Sequence, residues 1–296
     1  MGNVVLKPTR LPVRGEAPRP RRRKRGRFLR GLVVIIGAMG LTTVAIKAND
    51  VFLVPHEEML GGVGASVPDA RCPDDMVYVS ASGGGFCIDR YEASAGKLCP
   101  NAAPRNQFES NDNLAQSLCT PVSAVGVTPW VNIPRAQAME LCARVGKHLP
   151  SNGEWFRAAL GTPDTTNDCA IAKVGYSEAQ KTGSMQKCVS GSGAYDMVGN
   201  VWEWVDANVS DGVLSGKRLP AEGFVKDADT DGVAVETTSA GDDVFHSDYF
   251  FVDPQGPKGV FRGGFWSSGD KGGVYAFFAA SPATFIGNAV GFRCAK

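Results

Sequence analysis

Eight cysteines, and where they stand, constrain this chain more than any other feature. They are Cys72, Cys87, Cys99, Cys119, Cys142, Cys169, Cys188 and Cys294, all in the part of the 296-residue chain beyond residue 71. No two are closer than 12 residues, so there is no C-x-x-C pair for zinc or for thioredoxin-type redox work. An even set at such spacings reads as a disulfide framework whose pairing spacing alone leaves open. Such a framework needs an oxidising compartment. The 36 Gly and 18 Pro add many turns and leave little room for long helix.

The N-terminal residues supply the route to that compartment. Residues 1–30 carry eleven Lys/Arg against one acid, Glu16, whereas the remainder carries twenty against twenty-nine. The net charge of +1 therefore hides a basic tail on an acidic body. An acidic body repels phosphates, which argues against nucleic acid as a partner. After "RPRRRKRGRFLR" comes "GLVVIIGAMGLTTVAI", residues 31–46, without a charge. That run is short of the roughly 20 residues of a spanning helix and slightly longer than a signal-peptide core. The arginine flank places the N-terminus in the cytoplasm. An uncleaved transmembrane anchor over 31–48 is expected, since no good A-x-A site follows. A cleaved export signal is the alternative. Both readings put the body outside the cytoplasm, and the dense arginine flank suggests a single-pass protein of a bacterial inner membrane facing the periplasm. The organisation expected is a cytoplasmic tail (1–30), the anchor (31–48), a spacer (49–71) and one domain (72–296).

Within that domain, "MVYVSASGGGFCIDRYEAS" (76–94) gives two short strands around a Gly-rich turn. "PRAQAMELCARVG" (134–146) reads as a helix with Pro134 in its first turn and Ala138, Leu141, Cys142 and Val145 on one face. "SNGEWFRAAL" (151–160) is a second helix, with Ser151 and Glu154 in capping-box spacing and Gly161 as its stop. Residues 205–258 look loop-rich and acidic. The fold class is an irregular α+β domain of low secondary-structure content.

Four segments, in order, resemble the formylglycine-generating enzyme / sulfatase-modifying-factor family: "FCIDRYEAS" (86–94), "GKHLPSNGEWFRAA" (146–159), "GAYDMVGNVWEWV" (193–205) and "FRGGFW…GFRCA" (261–295). The resemblance implies a compact variant of the C-type-lectin fold. It also implies a bridge from the helix cysteine before "GKHLP" to the one in "GFRC", here Cys142–Cys294. Closing about 150 residues contributes near 5 kcal/mol on the chain-entropy treatment, less any strain. The remaining cysteines pair most simply with neighbours, as Cys72–Cys87, Cys99–Cys119 and Cys169–Cys188.

The resemblance further implies a structural calcium on Asp196 and Glu203 with the carbonyls of Gly199 and Val201, an oxygen set suited to that hard cation. A second candidate is "DADTDG" (227–232): Asp227, Asp229 and Asp231, with Gly232, match the start of an EF-hand loop, but Thr238 stands where its bidentate acid belongs. Enzymes of the family hold copper on two thiols, and the matching positions here are Ser268 and Gly273. Soft Cu(I) needs thiolate or thioether ligands, so no copper and no formylglycine-generating oxidase activity are expected. Ser268 with His246 and Asp243 or Asp248 forms a candidate for another hydrolase or transferase chemistry. The leading expectation is a pseudoenzyme that binds a protein partner in an envelope complex. Its ligand surface would be the old substrate face: Arg262, Phe265, Trp266, Ser267, Ser268, Asp270, Lys271, Tyr275 and Asn288.

Overall fold

The structure is a computed structural model and describes residues 71–172 and 175–296. The tail, the anchor and all but the last residue of the spacer lie outside the described residues. Among those described, no helix is long and apolar enough to cross a membrane.

Two antiparallel ribbons open the domain. Strand β1 (Met76–Val79) pairs with β2 (Phe86–Asp89) across the Gly-rich turn, and β3 (Ala93–Ala95) pairs with β4 (Pro121–Ser123). Between β3 and β4 runs helix α1 (Gln107–Ala115), and after β4 come α2 (Arg135–Arg144) and α3 (Asn152–Ala159). Helix α3 starts on the full capping box, with Ser151 accepting from the Glu154 amide and Glu154 accepting from the Ser151 amide. Helix α1 has no apolar stripe to announce it. Its buried residues are Ser110 and Asn113, held by hydrogen bonds to Trp130 and Asn101.

The rest of the domain is a nine-stranded sheet. Its strands are β5 (Trp202–Ser210), β6 (Val213–Leu214), β7 (Lys217–Arg218), β8 (Gly223–Ala228), β9 (Ala234–Thr238), β10 (Tyr249–Val252), β11 (Pro257–Arg262), β12 (Phe277–Ala279) and β13 (Val290–Gly291). The spatial order is β7-β6-β5-β11-β12-β10-β8-β9, and β13 lies parallel beside the start of β5. The stretch 205–258, read from sequence as loop, therefore supplies most of the strands. They were hard to see because β6 and β7 are two residues each and β7 and much of β9 face solvent, which leaves no apolar alternation. Strand β5 shows the opposite limit. Its first four residues, Trp202–Val205, are all buried, because β11 and β13 pair on its two edges and both faces are covered.

All eight cysteines are in disulfides: Cys72–Cys87, Cys99–Cys119, Cys142–Cys294 and Cys169–Cys188. The third joins α2 to the C-terminus over a separation of 152 residues.

A buried ion pair joins the same C-terminal segment to the sheet. Arg293 and Glu203 are both essentially without exposure. The guanidinium donates from Nη2 to Glu203 Oε1 at 2.6 Å and from Nε to Oε2 at 2.7 Å. Its remaining donors go to the carbonyls of Asp89 at 3.0 Å and Tyr195 at 2.8 Å. Trp155 of α3 completes the Glu203 carboxylate with an indole N–H at 2.6 Å. One charge pair thus gathers β2, α3, the 195 loop, β5 and the C-terminus. Replacing Glu203 by Gln leaves the buried guanidinium uncompensated. We expect Glu203→Gln to lower unfolding free energy in urea by about 3–5 kcal/mol; a loss below about 1 kcal/mol, an ordinary single-substitution effect, would contradict this role.

Candidate functional site

The site is built on the loop 263–276 between β11 and β12. It leaves the sheet through Gly263 and Gly264, whose φ values of 91° and 92° suit only glycine. A side chain at Gly264 would stand 2.7 Å from the Gly272 backbone, so the two ends of the loop close on one another. Ser268 sits inside this closure, almost wholly buried, and its hydroxyl accepts the Phe265 amide at 2.9 Å. A single 3-10 turn, Gly269–Lys271, follows it.

Gly273 faces a filled space. A Cβ built there would lie 1.8 Å from Asp248 Oδ1 and 2.1 Å from Asp164 Oδ2. Asp248 is fully buried, and its other oxygen accepts the Tyr275 amide at 2.6 Å. Burial pushes the Asp164 carboxyl up to about 6, and burial with the Asp164 charge raises Asp248 well above the usual range. Asp164 carries no signal in the sequence; only the absent side chain at Gly273 brings it into view.

Several residues assigned to the ligand surface take other places. Arg262 is a correction: it is fully buried and cannot meet a ligand. Its guanidinium donates to Asn152 Oδ1 at 2.6 Å and to the carbonyls of Gly232 and Val274 at 3.0 Å. It lies over Trp155, Phe156 and Phe277, and desolvation brings its pKa down to about 9. It is a strut from β11 to α3 and the hairpin turn. Lys271, half-buried, points its ammonium at Tyr249, 4.0 Å from the ring centroid, with Phe224 and Phe251 beside it. Tyr275 packs against Phe156 and Phe245. Ser267 is half-buried and Asp270 exposed.

Trp266 and Asn288 do come together. They line a cavity of about 490 Å³ with Val131, Asn132, Thr128 and Lys181. Trp266 is itself buried, with 6% of its surface exposed; it packs on Val131 and Val201, with Phe265 edge-on to its ring at 5.3 Å, so little of the ring called as ligand surface meets the cavity. Lys181 donates to the Thr128 hydroxyl at 2.5 Å on the cavity wall.

The serine-centred alternative is not assembled. Ser268 spends its hydroxyl on the Phe265 amide, and no hydrogen bond joins it to His246. His246 and Asp243 are exposed, while Asp248 faces Asp164.

The carboxylates at the expected calcium positions meet protein groups. Glu203 is held by Arg293 and Trp155, so its charge already has a cation. Asp196 Oδ2 accepts the Gly183 amide at 2.6 Å, and desolvation lifts its carboxyl to about 6. Glu92, also buried, receives the Asn200 amide at 2.7 Å, and burial with the Asp196 and Glu203 charges raises it well above the usual range. It sat unnoticed in "DRYEAS". The second candidate is a β-hairpin: Asp227 lies on β8 opposite Glu236, and Asp229 turns the chain by accepting the Asp231 and Val233 amides. Asp229 also takes Lys217, and Asp231 takes Arg157. Among the described residues, no three His, Cys, Asp or Glu side chains converge as metal ligands.

The sequence matches the description "Sulfatase-modifying factor enzyme 1-like domain" over residues 79–296. The chain belongs to this family. No curated protein matches it. Among solved structures it is similar to the Major Tropism Determinant I1 variant, at 18% identity over 77% of this chain and 54% of that one, with a TM-score of 0.43. The chain thus spans about half the length of that relative. It is also similar to PvdO from Pseudomonas aeruginosa, at 17% identity over 72% of this chain and 80% of that one, TM-score 0.40. CarF follows at 15% identity, 72% and 86%, TM-score 0.37.

Two outcomes follow from this geometry. Gly273→Ala should cost about 1–3 kcal/mol by overpacking, and part of that loss should return in an Asp164→Gly background; equal costs in both would contradict the filled space. Calorimetric titration with Ca²⁺ tests the oxygen set of Asp196, Gly199, Val201 and Glu203: binding supports it, and no binding at ~1 mM calcium, the range of the weakest extracellular sites, ends it.

Proposed function

We propose that this domain is a non-catalytic member of its family that recognises a protein partner through the face around Trp266. The observation that carries the reading is the state of the loop 263–276. Positions 268 and 273, which correspond to the family's thiols, hold Ser and Gly. Every cysteine of the chain is in a disulfide. The hydroxyl of Ser268 is internally bonded, and the space beyond Gly273 is occupied by two carboxyls. Cu(I) finds no soft ligand there, and neither does an acyl or glycosyl transfer find a paired base.

What remains accessible is the cavity beside the loop. The exposed margin of Trp266, with Asn132, Asn288, Thr128 and Lys181 around it, suits a peptide segment with one small apolar anchor and polar flanks. Four disulfides support an oxidising, extracytoplasmic compartment, consistent with the charge pattern of residues 1–48. The partner is then a component of the cell envelope, held near the membrane by the N-terminal anchor.

The test is site-specific photo-crosslinking from Asn288 in membranes of the native host. We expect one recurrent protein product, lost with Trp266→Ala and retained with Ser268→Ala. Retention after Trp266→Ala, or loss with Ser268→Ala alone, would point to chemistry at the loop.

A further inference from the structure

The two carboxyls beyond Gly273 form an unusual arrangement. A single point lies 1.8 Å from Asp248 Oδ1 and 2.1 Å from Asp164 Oδ2, which puts these oxygens no more than about 3.9 Å apart. Both are buried, and neither meets a donor from any other residue. Two ionised carboxylates at this separation, shielded from water, repel strongly. A proton between them removes the repulsion and gives each oxygen its missing partner. No side chain at position 273 intrudes, because there is none.

The cationic groups around the pair act on it through their field and donate no hydrogen bond to the two facing oxygens. On the Asp248 side stands Arg262, whose guanidinium donors go to Asn152, Gly232 and Val274 and leave only Nε unpartnered. On the Asp164 side stands exposed His246. The Tyr275 phenol lies on the element packed against Arg262. The backbone contributes the Tyr275 amide to Asp248 and the Val274 amide to Asp164.

We propose that Asp164 and Asp248 bind one shared proton and thereby act as a latch, fixing residues 162–168 and 272–275 to the turn that enters β10. The segment 162–168 leads from α3 to Cys169 and its disulfide, and 272–275 closes the recognition loop. Loss of the proton to solvent leaves two negative charges facing each other. Relief then comes from moving one segment away, which loosens the loop that carries Trp266.

The direction of the pH dependence follows from the folded acids being harder to ionise than free ones. Stabilisation from the two raised acids is full below the free aspartate value near ~4, where each carries its own proton. The first proton leaves near 6 and leaves the single shared proton of the latch, and the latch itself is lost at higher pH as Asp248 gives that proton up. Glu92 and Asp196 titrate in the same direction, so the comparison must be with a variant. Asp248→Asn is suited to this: the amide NH₂ donates permanently to Asp164 while its oxygen still accepts the Tyr275 amide.

The experiment is hydrogen exchange of the Tyr275 amide and of residues 162–168 at pH 6 and pH 9, corrected for intrinsic rates. Protection in the wild type is expected to fall at pH 9, and in Asp248→Asn to hold at both. Equal loss in both proteins, or no loss in either, would overturn the latch. Asp164→Asn, which donates from the other side, serves if Asp248→Asn does not fold. If neither folds, the infrared carboxylic-acid band decides. A protonated carboxyl that persists at pH 7 in a Glu92→Gln background, which removes the other strongly raised acid, and vanishes at alkaline pH supports the shared proton; its absence at pH 7 in that background excludes it.

Discussion

The Arg293–Glu203 pair is the interaction on which the other parts of the domain depend. A charge pair taken out of water gains little by itself, since desolvation offsets most of the attraction. What it provides here is connection. The guanidinium reaches β2 and the 195 loop through two carbonyls, and the carboxylate reaches α3 through Trp155. The Cys142–Cys294 bridge, one residue along, pins the same segment to α2. In a domain with three short helices and many two- to four-residue strands among its described residues, few elements could hold their neighbours by area alone. The polar centre and the disulfides do this instead.

A second buried arginine extends the scheme toward the site. Arg262 ends β11 and ties α3 to the hairpin turn and to the Val274 carbonyl, so the loop 263–276 begins and ends on fixed supports. Between them the loop is closed by small residues. Two carboxyls occupy the space where a side chain at 273 would stand, and Ser268 is turned inward. A side chain at 273 has no room on this side of the loop, and Trp266 borders a cavity on the other.

How much of this could be read beforehand depended on the kind of signal. Helices α2 and α3 were legible because Pro134 and the Ser151–Glu154 box are local devices that act within one turn. The two strands at 76–79 and 86–89 were legible from a Gly-rich turn between apolar runs. Helix α1 was not, since its buried face is Ser110 and Asn113, polar groups satisfied by residues distant in sequence. Strands β6 to β9 were not, because β6 and β7 are two residues each and β7 and much of β9 face solvent, which leaves little alternation to read. The cysteines were the most informative residues: their spacing and the family resemblance suggest the same four pairs that the structure contains. At the site, the burial of Arg262 and the approach of Asp164 to Asp248 are products of tertiary packing. The acidic run "DADTDG" shows nothing in sequence of the hairpin that places Lys217 and Arg157 on its carboxylates.

The central claim is that a loop shaped by an oxidase family holds no thiol and works by its surface. The most direct measurement is a thiol count on the full chain, denatured without reductant, combined with Cu(I) retention by the native protein against a competing chelator. The account predicts no titratable thiol and no copper retained in stoichiometric amount. Two free thiols per chain with one bound Cu(I) would contradict it.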